Sequence, residues 1–86
     1  MIHHVTVLVF LKEGVLDTQG KAVLSVLLHA GHSDVRDVRI GKYIQLQIES
    51  PTREEALKQA NAMCEDLLVN SIIEEYTVKL RGEEDA

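Results

Sequence analysis

The stretch KYIQLQIES, residues 42–50, places the tightest limit on what this chain can fold into. Ile44, Leu46 and Ile48 alternate with Gln45, Gln47 and Glu49, so an extended backbone here has one dry face and one wet face. Such a strand needs neighbours in a sheet and a second layer against its dry face. Two other segments can serve as those neighbours. HHVTVLVFLK, residues 3–12, sets Val5, Val7 and Val9 on one face and Leu8 and Phe10 on the other, which fits a central strand or one covered on both sides. EYTVKLR, residues 75–81, alternates Tyr76, Val78 and Leu80 with Thr77, Lys79 and Arg81.

Between the strands the period changes from two to 3.6. Asp17 is placed as the N-cap of a helix running to about Ala30, with Gly31 as its C′ stop. Val23, Val26, Leu27 and Ala30 form a core-facing stripe, and Leu24 and Leu28 form a second apolar row beside it. That second row either widens the core stripe or faces another protein, which makes Leu24 and Leu28 candidate oligomer contacts. VRDVRI, residues 35–40, reads as a strand with Val38 and Ile40 inward, and Gly41 with Lys42 as a hairpin turn. Pro51 stops the following strand. Thr52 and Glu55 form a capping box for a second helix, whose apolar positions are Ala56, Ala60, Met63, Cys64, Leu67 and Leu68.

The predicted order is β-α-β-β-α-β. With right-handed crossovers this is an α+β, ferredoxin-like two-layer sandwich, with two helices on one face of a mixed or antiparallel sheet. The other face carries Arg39, Gln45, Gln47, Thr77 and Lys79. Residues 1–82 make one domain, and 83–86 a short acidic tail.

An 86-residue chain buries only about 60–65% of the surface its unfolded form exposes, so a thin core needs reinforcement. A disulfide cannot supply it, because Cys64 is the only cysteine. Oligomerisation or a partner protein is the remaining route. A lone thiol and the absence of a basic, signal-like N-terminal region fit a cytoplasmic protein. The net charge of −5 and 3% aromatic content are the opposite of a nucleic-acid footprint.

Catalytic constellations are missing. Cys64 falls in the apolar helical stripe, as a buried, inert thiol would. His3 and His4 point to opposite faces of a strand and cannot share a metal. His29 and His32 stand at i, i+3 near a helix end without a third ligand. Glu54/Glu55, Glu65/Asp66 and Glu74/Glu75 read as solvated carboxylate pairs. The loop after the first strand offers Lys12 and Glu13, not the Arg that acylphosphatase-like chemistry would need. No bound cofactor or metal is expected of this chain.

LKEGVLDTQGKAV, VRIGKYIQLQIE and ANAMCEDLLVNSIIEEYTV, in that order, resemble the small PurS subunit family of phosphoribosylformylglycinamidine (FGAM) synthase. The likeness runs from Val5 to Val78. Thr18 stands where that family usually has Pro at the first helical position, a change that still starts a helix. The resemblance implies a non-catalytic accessory role in purine biosynthesis. It implies a large synthetase subunit (PurL) that uses ATP and Mg for amidination, and a glutaminase subunit (PurQ) that releases ammonia. It implies a small subunit that forms dimers or tetramers, holds the other two together and supports ammonia transfer. On this reading Asp17, Gln19, Gly20, Arg39, Gly41, Lys42 and Asn70 are candidate partner-docking residues; the same residues could equally do no more than cap and turn. The alternative function is an ACT-like module binding a small regulatory molecule, which shares the same element order.

Overall fold

The computed structural model describes residues 1–81, so the expected tail at 83–86 lies outside the described residues. The elements are β1 (Ile2–Leu11), α1 (Thr18–His29), β2 (Lys42–Glu49), α2 (Arg53–Met63) and β3 (Glu74–Leu80). β1 is the central strand, antiparallel to β2 on one side and to β3 on the other. Val5 pairs with Leu46 and Leu80, and Val7 with Ile44 and Val78, so the three dry faces coincide. This alignment builds the core. Val5, Ile48 and Leu80 pack with Ala56 and Ala60 of α2, while Val7 and Val9 meet Cys64 and Val69. The two alanines let the helix backbone approach the sheet closely. The result is an α+β two-layer sandwich of the ferredoxin-like kind with an antiparallel sheet.

The expected strand at 35–40 is not formed: this segment pairs with no strand, so the sheet has three strands among the described residues. The cause is local. Ile40 N–H donates to Asp17 Oδ2 at 2.9 Å and Val38 N–H to Asp37 Oδ1 at 2.9 Å, which removes two ladder donors. The Gly41–Lys42 hairpin turn is absent too. Gly41 leads straight into β2, and a Cβ there would lie 2.4 Å from Val9 O and 2.7 Å from the Phe10 ring. Glycine at 41 permits close passage over β1; it does not make a turn.

Helix α1 also departs from expectation. Only α2 layers the sheet, and α1 with the returning segment 35–40 projects from the body. The radius of gyration is 16.1 Å, against about 12 Å for a compact chain of this length. The predicted core stripe of α1 is therefore open to solvent: Val26 is 66% exposed, and Val23 and Ala30 are exposed as well. Gly31, at φ +100°, ends α1 in the left-handed conformation expected of a C′ glycine.

The end of α2 corrects a third expectation. Ala56, Ala60 and Cys64 are buried as predicted, but Cys64–Leu68 is a π-helical turn, with Val69 N–H donating to Cys64 O at 3.0 Å. A wider turn shifts the phase of the stripe by one residue. Val69 enters the core, whereas Leu67 turns outward and is 84% exposed. Met63, at 38%, is exposed as well.

Candidate docking site

The C-terminal end of β1, the N-terminal ends of β2 and β3, and the start of α1 meet at one pole of the molecule. Asp17 organises the α1 side of it. Its Oδ1 accepts from Gly20 N–H at 2.8 Å, capping the helix, and its Oδ2 accepts from Ile40 N–H. These two backbone donors, Ile40 foremost, hold the Asp17 carboxyl below the usual carboxylate range, helped by the Arg39 and Lys21 charges. Gly20 is buried, and a Cβ there would lie 2.4 Å from Val38 O. Helix and return segment touch backbone to backbone at that point.

Arg39 reaches from the return segment to β1. Its Nη2 donates to Leu11 O at 2.8 Å, and its guanidinium lies 5.2 Å from the Phe10 ring centroid. It thus lies against the sheet face opposite α2, the wet face on which it was expected, though it is not on a strand. Gln19, Gly41, Lys42 and Glu74 line a shared groove with Asp17 and Ile40.

Glu74 joins the remaining candidates. Its Oε2 is 3.5 Å from Lys42 Nζ, and its Oε1 accepts from Asn70 N–H at 2.7 Å. Asn70 in turn builds the turn that leads into β3: its Oδ1 accepts from Ile72 N–H at 3.2 Å, and its backbone oxygen accepts from Ile73 and Glu74 N–H at 3.1 and 2.7 Å. Lys12 closes this pole. Its N–H donates to Ile73 O at 2.8 Å and its Nζ to Ser71 O at 2.7 Å.

All seven sequence-derived docking candidates therefore belong to one connected cluster, although they come from three separate stretches of chain. Glu74 and Lys12 were not among them. Glu74 reads in the sequence as half of a solvated pair with Glu75, yet its side chain is only 14% exposed. The signal that could have found it is its place four residues after Asn70, at the start of a strand. Glu65 likewise acts on a neighbour: burial first, and then the Glu65 carboxylate, push the Tyr76 pKa up.

The candidate oligomer contacts sit apart, on α1. Leu28 is 45% exposed and Leu24 is half-buried. His29 Nδ1 lies 2.8 Å from Ser25 O in its own helix. Among the described residues no group of three His, Cys, Asp or Glu side chains could hold a metal ion. Cys64 is buried and free, and burial, with the Glu65 charge, pushes its thiol pKa up.

The molecule is a small α+β sandwich with a polar, hydrogen-bonded cluster at one pole and a bare helical arm. Comparison with known proteins supplies the family. The PurS family, described as phosphoribosylformylglycinamidine (FGAM) synthase, matches residues 4–82. The PurS subunit of that synthase from Bacillus subtilis is 47% identical over 75 residues, spanning 87% of this chain and 88% of the relative. The Methanocaldococcus jannaschii PurS crystal structure, one subunit of formylglycinamide ribonucleotide amidotransferase in the purine biosynthetic pathway, superposes with a TM-score of 0.84 at 31% identity, covering 94% of this chain and 96% of that one. A chain of PurLQS from Thermotoga maritima gives 0.88 at 31% identity, covering 93% and 98%. The chain belongs to the PurS family, the small subunits of FGAM synthase in purine biosynthesis.

Proposed function

We infer that this chain is a non-catalytic accessory subunit that bridges the glutaminase and ATP-dependent synthetase subunits of FGAM synthase and supports ammonia transfer between them. One observation carries the reading: Asp17, Gln19, Gly20, Arg39, Gly41, Lys42 and Asn70 converge on a single pole. Groups from three stretches, held largely by hydrogen bonds to backbone, make a prepositioned docking surface. The Thermotoga maritima PurLQS structure supports the same partners here. ATP and Mg act on the large subunit in this scheme, in the cytoplasm. Among the described residues no helix is long and apolar enough to cross a membrane.

A second copy of the chain covers α1. A 12-residue helix is marginal on its own, and α1 leaves Val23, Val26 and Leu28 exposed. Serine at both Leu24 and Leu28 lowers the mass measured by light scattering from oligomer to monomer; an unchanged mass rejects this contact.

The function is tested by glutamine-dependent amidination with purified synthetase and glutaminase subunits. Activity is expected only when the chain is added, while ammonia-dependent activity of the large subunit needs no addition. A chain that neither binds the two subunits nor alters the rate refutes the assignment.

A further inference from the structure

A cavity of about 600 Å³ opens between the loop that follows β1, the first turn of α1, the return segment and the start of β3. That volume suits a small molecule. Its walls are already fixed. Gly14, at φ +90°, turns the loop, Val15 N–H donates to Lys12 O at 3.1 Å, and Asp17 ties the end of the loop to Ile40. Charges of both signs line the cavity: Lys12, Lys21 and Arg39 against Glu13, Asp37 and Glu75, with Asp17 already committed. Among the described residues none of these cations forms an ion pair with any of these carboxylates; the ion pairs that Met1 and Lys42 make lie elsewhere. Arg39 and Glu75 are both neighbours of Phe10. The guanidinium lies 5.2 Å from its ring centroid, and Glu75 is its cross-strand partner on β3. Arg39 spends one N–H on Leu11 O and keeps the rest, while Asp37 has only Oδ1 engaged, by Val38 N–H.

Opposite charges held apart around one cavity attract a molecule that carries both. A simple cation meets Lys12, Lys21 and Arg39, and a phosphate meets the carboxylates; a zwitterion has a partner for each of its charges. We propose that this cavity binds a free α-amino acid with an uncharged side chain. Its carboxylate is held by Arg39, whose planar fork suits two parallel hydrogen bonds, and Lys21 adds a second positive charge. Its ammonium is held by Glu75, with Asp37 beside it. Val15 and Val38 line the remainder, and Leu16, 63% exposed, gives the ligand side chain an apolar contact. The proposal does not rest on the accessory-subunit reading, and its test needs no partner subunit, so either can fail without the other.

Titration of the full chain with L-alanine, L-leucine, L-methionine and L-glutamine, followed by NMR, tests this. At least one of them is expected to shift the Gly14, Asp17, Val38 and Arg39 amides saturably, with a Kd of about 1 mM or lower. Removing either charge of that ligand weakens binding about tenfold or more: N-acetylation deletes the ammonium and amidation deletes the carboxylate. On the protein side, Glu75→Gln weakens binding of the free amino acid about tenfold and does not weaken binding of its N-acetyl derivative, a pairing that loss of fold would not give. The absence of a saturable shift from every one of these amino acids at about 10 mM overturns the proposal. So does equal binding of the free, acetylated and amidated forms, or unchanged affinity in Glu75→Gln. Inorganic phosphate saturating the same amides more tightly than any amino acid also overturns it, because the cavity is then an anion site.

Discussion

Asp17 Oδ2 accepts the backbone N–H of Ile40 at 2.9 Å, joining two residues 23 positions apart. The same carboxylate caps α1 through Gly20, so one side chain both starts the helix and fixes where the chain returns beside it. The tie also explains why residues 35–40 fail to become a strand, since a donor needed by a ladder is already committed.

Because these hydrogen bonds depress the Asp17 pKa in the folded chain, its contribution is complete above the unfolded value of about 3.9 and is lost as pH falls through the folded value. Following the Ile40 amide resonance from pH 6 to pH 2 is expected to give a midpoint below the ordinary carboxylate value. Asp17→Asn should abolish that titration. A midpoint at or above the ordinary value means the tie does not hold in solution.

Gly20→Ala reverses a familiar sign. Alanine in a helix is ordinarily favoured over glycine by about 1 kcal/mol. Here its Cβ would lie 2.4 Å from Val38 O, and separating the two backbones costs about 1–3 kcal/mol. Tryptic cleavage at Lys21 should become about ten- to a hundredfold faster, in proportion to the opened population. Slower cleavage would show that α1 and the return segment are not in contact.

Leu67 distinguishes a π-helical exit from a continued α-helix. If the helix simply continued, Leu67→Ala would cost about 2–4 kcal/mol as a core truncation. With Leu67 outside, urea unfolding should shift by no more than about 0.5 kcal/mol, whereas Val69→Ala, at a buried site, should cost distinctly more.

Both raised pKa values act at alkaline pH. Cys64 and Tyr76 hold their protons more tightly folded than unfolded, so their contribution is complete below the unfolded thiol value of about 8.5 and falls away as pH rises through the folded values. Thermal midpoints should therefore decline above that pH, and thiol labelling of Cys64 at pH 8 should be slow until denaturant is added. Fast labelling of the native chain would place the thiol at the surface.

Local pattern carried most of the fold. The alternation of Ile44, Leu46 and Ile48, the Asp17 and Thr52 caps and the Gly31 stop each act within a few residues, and each is seen as read. What escaped depends on distant partners. VRDVRI has strand composition, but its donors are claimed from a loop 23 residues away. Leu67 has helical spacing, but one inserted residue in the turn moves it off the core face. For the docking pole, polar residues beside turns could be picked from sequence. Glu74 was missed, since its one local signal is a place four residues after Asn70 and its role appears only once β3 brings it beside Lys42 and Asn70.

A sheet built around one central strand has two open sides. With residues 35–40 drawn away, β2 and β3 each present an unpaired row of backbone donors and acceptors, the kind of template on which fibrils grow. Charges stand along both rows: Lys42 and Glu49 bracket β2, and Glu74, Glu75 and Lys79 punctuate β3. Together with the net charge of −5, they oppose edge-to-edge pairing between copies.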